Sequence, residues 1–340
     1  MKKITHITMS DSFGGAETVI FTIIKELRNE FKFEYLCPKG NIEKILLKNN
    51  IEFKCFNKKN IKPYIKSIDE GIIHAHDFKA SILSAICRKK GVKIISHIHT
   101  DHKWLKKFSF KSLIYLLATI SFEKIILVSE SMAKEMWFYK FIKNKSEILI
   151  NPINEGEILK LSKSYQIEEK YDLIFLGRLS EYKNPLGFIE IVNLLKKKKE
   201  NIKAIIIGDG ELMDKCRERI RKLNLEDNIE IKGFLENPFP YLKSSKLLVM
   251  PSQTEGLSLS AGQAMILGIP VIASNVGGLK DFINNFNGRL CNDINEFVIA
   301  IDEILNNERI YNKLYYEAKK EKGYFCSEKY MKRLREIYTK

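Results

Sequence analysis

With 340 residues, 45% of them hydrophobic and 29% charged, and a formal net charge of +15, the chain suits two domains and has the composition of a soluble globular protein. Apolar runs such as Leu113–Leu117 fall far short of the roughly 18 residues that span a bilayer. The opening MKKITHITMSDSFGG has no apolar core of a signal peptide, so cytoplasmic residence is expected. Six scattered cysteines form no CxxC pair, which excludes a disulfide frame and a cysteine zinc site, and no motif for DNA or RNA accompanies the basic charge. That charge has two readings: attraction to anionic headgroups or pyrophosphate-linked substrates, and a lysine-rich surface that is merely solvated.

In chain order, short β-branched runs alternate with helix-length amphipathic segments. Strands are predicted at Ile4–Met9, Phe33–Cys37, Ile51–Phe56, Ile72–His76, Lys93–His99, Lys124–Ser129 and Glu147–Ile150. A polar stretch opened by Asn-Pro, Asn151–Lys170, interrupts the series and is expected to be the hinge between domains. Further strands are predicted at Asp172–Leu176, Lys203–Ile207, Asn228–Ile231, Lys246–Met250 and Ile269–Ala273. Such alternation gives parallel sheets covered by helices on both faces. After Gly15, the residues Ala16, Val19, Ile20, Ile23, Ile24 and Leu27 form one helical apolar stripe. Domains over 1–152 and 153–324 are expected, with the last helix, over about 325–340, returning to the first.

In such sheets ligands bind beyond the carboxyl ends of the strands. The most informative segment there is PSQTEGLSLSAGQAMILGIPVIASNVGG, Pro251–Gly278. It sets the carboxylate of Glu255 in a turn with Gly256, Leu257 and Ser258, before a helix-compatible run that contains Gln263. A strand and a second turn, Gly277-Gly278, follow. Two turns of this kind would aim backbone N–H groups and helix N-termini at a phosphate. Upstream, GRLSEYKN offers Arg178 and Lys183 directly after a strand, one able to bind phosphate oxygens bidentately and the other adding a point charge. Gly14-Gly15 ends the first strand-to-helix turn and would let backbone approach a phosphate or sugar. In IIGDGELM, Gly208 and Gly210 keep a nucleotide-lining turn open, but Met213 stands where a dinucleotide fingerprint needs its third glycine.

All six histidines lie within the first 102 residues. Period-2 spacing puts His74 with His76, and His97 with His99, on common faces. A metal site, satisfied structural histidines and substrate contact all compete. Substrate contact is favoured for His99, at a strand's carboxyl end, and no metal is expected.

The run from GGAE through HIHTD, GRLSEYK, IIGDGE, Gly233-Phe234 and PSQTEGLSLSAGQAM resembles the family 4 retaining glycosyltransferases of GT-B fold, across essentially the whole chain. The resemblance implies an α/β fold of two Rossmann-like domains whose parallel sheets face across a cleft. It implies an acceptor-binding first domain and a second domain that holds a nucleotide sugar, most commonly a UDP-sugar. Arg178 and Lys183 would bind the diphosphate, with Gly15 contributing from the first domain. Glu255 would contact the sugar ring and His99 would lie near it. The turns at Gly208–Gly210 and at Gly233, Phe234 and Leu235 would approach the nucleoside, and Gly277, Gly278 and Leu279 would close around the phosphates. No metal or other cofactor is implied. The family carries a second glutamate where this chain has Gln263, whose amide lacks the charge and brings a donor; weaker or altered nucleotide binding is expected. Asp281 is a milder departure.

The expected reaction is retaining transfer of a hexose or N-acetylhexosamine to a saccharide or polyprenyl-linked acceptor in surface polysaccharide synthesis. A silent relative serving as a partner subunit is the alternative that Gln263 keeps open, and a nicotinamide oxidoreductase ranks below both. Lys106–Phe122 combines a basic start with an apolar body. It reads equally as a contact with an anionic membrane surface, making the protein peripheral there, and as a buried helix.

Overall fold

The computed structural model describes residues 1–11, 13–58 and 60–340, the side chain of Lys322 excepted. The chain forms two compact units, Met1–Pro152 together with Ser327–Lys340, and Ile153–Cys326.

The first unit is built on seven parallel strands: β1 (Lys3–Ile7), β2 (Lys32–Pro38), β3 (Phe53–Phe56), β4 (Ile72–Ala75), β5 (Lys93–Ile98), β6 (Lys124–Leu127) and β7 (Ser146–Ile148). Their order is β3-β2-β1-β4-β5-β6-β7, so the chain reverses direction across the sheet between β1 and β4. Helix Gly15–Leu27 follows β1 and buries Val19, Ile20, Ile23, Ile24 and Leu27, which is the stripe its periodicity requires. It buries Glu17 as well, which periodicity does not anticipate. The final helix, Ser327–Thr339, packs on this unit through Tyr330, Met331, Leu334 and Tyr338. Arg333 donates to Glu147 Oε2 at 2.8 Å, and Lys2 Nζ donates to the Tyr338 carbonyl at 2.7 Å.

The second unit has six parallel strands: β8 (Tyr171–Leu176), β9 (Ala204–Ile207), β10 (Ile229–Gly233), β11 (Ser245–Met250), β12 (Val271–Ser274) and β13 (Gly288–Cys291). The order is β10-β9-β8-β11-β12-β13, with its reversal between β8 and β11. Leu173, Phe175, Ile206, Leu247 and Val249 pack with Phe188, Val192 and Ile301 from the covering helices into one core.

Two features correct the sequence reading. β13 was not expected, because GRLC has neither an apolar run nor alternation; it is an edge strand recruited by pairing with β12. The expected hinge contains the division between the units, at Pro152–Ile153, but helix Glu155–Leu161 forms within it. Asn154 caps that helix, its Oδ1 accepting from Glu157 N at 3.0 Å, and Ile158 anchors it in the core. Among the described residues, no helix is long and apolar enough to cross a membrane.

Candidate active site

In the second unit the loops after β8 and β11 flank the point where strand order reverses, the place where open α/β sheets bind ligands. Lys183 and Glu255 come from these two loops, and Lys183 Nζ donates to Glu255 Oε2 at 2.6 Å. The carboxylate side chain is only 8% exposed and the lysine 28%, so water screens this pair weakly. Arg178 is exposed on the same loop as Lys183, its Nε 3.6 Å from Glu211 Oε2 on the loop after β9. The framework is fixed by backbone and amide contacts. Asn184 adopts a left-handed conformation, caps helix Pro185–Lys196 and donates from Nδ2 to the Pro251 carbonyl at 3.1 Å. Gln253 N donates to the Tyr182 carbonyl at 2.8 Å.

The loops after β9 and β10 join the same rim. Gly208 N donates to Gly233 O at 2.9 Å, and Leu179 N to Asp209 O at 2.9 Å. Gly208 has φ +145° and its Cα lies against the Gly177 carbonyl, so a side chain there would strike backbone. Close packing of two loops, beyond an open turn, is therefore what demands this glycine, and Gly210 likewise lies on the Leu179 carbonyl. Phe234 is exposed and Leu235 half-buried just past β10.

Past Glu255, the buried residues Gly256, Leu257 and Ser258 lead into helix Leu259–Ile266, with Ser258 Oγ accepting from Ala261 N at 3.2 Å. Gln263 is half-buried one turn along it. The second turn differs from expectation. Gly277-Gly278 opens only a short 3-10 segment, Gly277–Asp281, and Gly278 N donates to the Glu255 carbonyl at 3.1 Å. That N–H is spent on holding Glu255 in place and does not face a ligand.

In the first unit Gly14 and Gly15 are exposed at the N-terminus of helix Gly15–Leu27. Glu17, three residues past the Gly14 cap, folds back on the backbone of this turn, the reciprocal half of a capping box. Burial raises its pKa to about 7, outweighing hydrogen bonds from the turn and Ser10, and nearby Asp77 pushes the same way. Asp77 ties the loop after β1 to the helix after β4: Oδ2 accepts from Met9 N at 2.7 Å and Oδ1 from Ala80 N at 2.8 Å. Neither acid was among the expected site residues. The glutamate of GGAE was legible as a capping signal, whereas the place of Asp77 depends on β1 and β4 being neighbours.

Five histidines gather at the carboxyl ends of β1, β4 and β5. His74 and His76 stack with ring centroids 4.2 Å apart, and His97 and His99 lie 3.9 Å apart, the common faces required by period 2. His6 Nδ1 lies 2.8 Å from His76 Nε2, and His76 Nδ1 lies 3.0 Å from His99 Nε2. Burial depresses all five, His6 and His99 to about 3, so the rings are neutral at physiological pH.

Ring nitrogens of His6, His74 and His76, and of His76, His97 and His99, approach within 4.8 Å of one another. A cation needs in-plane lone pairs converging on a point. Here His74 and His97 lie face to face with their neighbours, and both nitrogens of His76 are already in ring-to-ring hydrogen bonds. The array suits shared protons better than a metal ion.

Residues 13–157 match the family described as Glycosyltransferase Family 4, and residues 158–321 match Glycosyl transferases group 1. The chain belongs to the family 4 glycosyltransferases. An uncharacterized glycosyltransferase of Haemophilus influenzae is 26% identical, over 92% of each chain. The UDP-Gal:alpha-D-GlcNAc-diphosphoundecaprenol alpha-1,3-galactosyltransferase of Escherichia coli is 27% identical, over 89% of each. Anabaena Alr3699/HepE, solved with UDP-glucose, superimposes over the full length of both chains with a TM-score of 0.84 at 18% identity, a likeness of fold. The fold is thus GT-B, and this family 4 glycosyltransferase carries its charged pair, Lys183 and Glu255, in the group 1 half.

Proposed function

We propose that this glycosyltransferase transfers a hexose or N-acetylhexosamine from a UDP-sugar, with retained anomeric configuration and without a metal, to a saccharide or polyprenyl-linked acceptor in surface polysaccharide synthesis. The observation that carries the reading is the Lys183–Glu255 pair at the strand-order reversal, with Arg178 on the same loop as Lys183. A diphosphate entering there would take up Lys183 and Arg178, and release the Glu255 carboxylate to accept from sugar hydroxyls. The acceptor oxygen bonds to the anomeric carbon on the face from which the phosphate departs. The acceptor's proton passes to the leaving phosphate oxygen, giving glycoside and nucleoside diphosphate. Side-chain cations and the N-terminus of helix Leu259–Ile266 stabilise the leaving charge.

Gln263 favours a second reading, a silent relative acting as a partner subunit. A thermal-shift panel of UDP, GDP, ADP and their sugars discriminates the two. At a hundred times its dissociation constant a ligand adds about 2.7 kcal/mol, a shift of a few degrees. UDP should stabilise the wild type and fail with Lys183→Met, whose turnover should fall about 10²–10³-fold. Turnover that survives Lys183→Met would sink the enzymatic assignment of this pair. Proton NMR of the product reads the anomeric configuration, and unchanged turnover in EDTA is expected.

The acceptor side favours a membrane surface. On and beside helix Phe110–Ala118, Phe108, Phe110, Leu117 and Ile120 are 60–76% exposed, with Lys107 and Lys111 among them. The buried residues of that segment are fewer: Ser112, Tyr115, Thr119 and Phe122. These exposed residues support a peripheral place on the cytoplasmic membrane face. Flotation with anionic vesicles at low salt should carry the wild type and lose a Phe108→Ser/Phe110→Ser double variant.

A further inference from the structure

Cys37 and Cys55 stand opposite each other on the adjacent parallel strands β2 and β3, and their sulfurs lie 3.7 Å apart. Their spacing along the chain does not announce the pair, which arises because β3 edges the sheet beside β2. Neighbouring strands run about 4.8 Å apart. That falls inside the Cα separation of roughly 4.4–6.8 Å that a disulfide bridges. Paired residues of neighbouring strands share one face of the sheet. Closing the sulfurs to about 2.05 Å therefore asks for a side-chain rotation and no change of register. Cys37 is buried and Cys55 half-buried on the edge strand, so the outer thiol is the one a small oxidant meets.

The chain leaving both strands supports the loop after β1. Lys39 N donates to the Phe56 carbonyl at 3.0 Å, and Ile42 N donates to the Asp11 carbonyl at 3.4 Å. Lys58 Nζ lies 2.7 Å from Asp11 Oδ2, and a Cβ on Gly40 would lie 2.6 Å from the Asp11 carbonyl oxygen. Asp11 thus rests on the ends of β2 and β3 together.

We propose that Cys37 and Cys55 are a redox modification site, where a peroxide converts the pair to a reversible disulfide that fastens the edge strand β3 to β2. The Cys55 sulfur attacks one peroxide oxygen, the O–O bond breaks and water leaves, giving a sulfenic acid. The Cys37 sulfur then forms the S–S bond as the S–O bond breaks, and a second water departs. The two thiols lose two electrons and one peroxide gains them; an added dithiol reverses the exchange. Burial raises both thiols, and the S–H that Cys37 donates to Cys55 raises the first further and draws the second back down. Cys55 is therefore the attacking sulfur and Cys37 the resolving one.

Hydrogen peroxide added to the whole chain at mildly alkaline pH, followed by alkylation in denaturant and non-reducing peptide mapping, tests this. The expected product joins the Cys37 and Cys55 peptides with the loss of two hydrogens, while Cys87, Cys216, Cys291 and Cys326 are alkylated. Cys55→Ser should leave Cys37 alkylated after the same treatment. Tryptophan fluorescence should place thermal unfolding of the oxidised first unit about 5–10 °C higher. Dithiothreitol should return it, and Cys55→Ser should show no response to peroxide. Alkylation of both cysteines overturns the proposal, and so does a Cys55 sulfinic acid beside a free Cys37. A linked pair without the thermal shift overturns the fastening of β3. Should Cys55→Ser fail to fold, the wild-type map still decides.

Discussion

Gln263 shows how one atom type bears on function at the residue scale. It sits half-buried in helix Leu259–Ile266, eight positions past Glu255, and its amide offers one acceptor oxygen and two donor hydrogens. A ribose presents hydroxyls as donors, which a carboxylate meets with two charged acceptors. Gln263→Glu should therefore tighten UDP binding about tenfold, the worth of one charge-assisted hydrogen bond. Calorimetry at fixed ionic strength reads this; an unchanged or weaker affinity would place the ribose elsewhere. Lys183, Glu255 and Arg178 were legible as residue types after strands, because charge in such a turn has few structural uses. That Lys183 already holds Glu255 was not legible, since it depends on β8 and β11 lying side by side although two strands separate them in sequence.

At the scale of elements, strong periodicity located the helices and central strands, and weak periodicity hid β13 and helix Glu155–Leu161. The latter is short and polar outside, so its one buried anchor, Ile158, makes no visible stripe. The helix that follows Glu255 illustrates packing that only contacts reveal. A Cβ on Gly262 would lie 2.5 Å from Ile153 Cδ1 and 2.8 Å from Phe325 Cζ, where Ile153 N also donates to the Phe325 carbonyl at 3.1 Å. Gly262→Ala would improve intrinsic helix propensity yet overpack this seam. A net loss of about 1–3 kcal/mol is expected in urea unfolding, and a gain would show that the seam gives way freely.

At the scale of the whole molecule the two units should differ in acid stability. All six histidines belong to the first unit, and burial lowers the pKa of each. Below the ordinary value of 6.5 the unfolded chain takes up protons that the fold refuses until about pH 3 at His6. Stability is thus complete above 6.5 and falls with pH, by about 1.4 kcal/mol per pH unit for each fully buried ring. Glu17 opposes this: its raised pKa adds stability as pH falls from about 7 towards 4.5, and Asp77 and Asp101 act in the same sense. Six groups against three leave a net loss. Trp104 and Trp137, the chain's two tryptophans, both lie in the first unit. Between pH 6.5 and 4.5 their fluorescence should report unfolding while far-ultraviolet dichroism keeps the second unit's share. Coincident loss of both signals would refute independent acid unfolding.

By itself the sequence determined the alternation of strand and helix, the parallel α/β class and the residue types waiting beyond the strand ends, because periodicity and turn chemistry are local properties. Tertiary structure alone decided which loops became neighbours: strand order, set by packing between distant segments, brings Lys183 to Glu255 and spends the Gly278 N–H on a carbonyl. It also made five separate histidines into one array, since the pairing of β1 with β4 and of β4 with β5 brings their rings together and lets His6, His76 and His99 join through ring-to-ring hydrogen bonds.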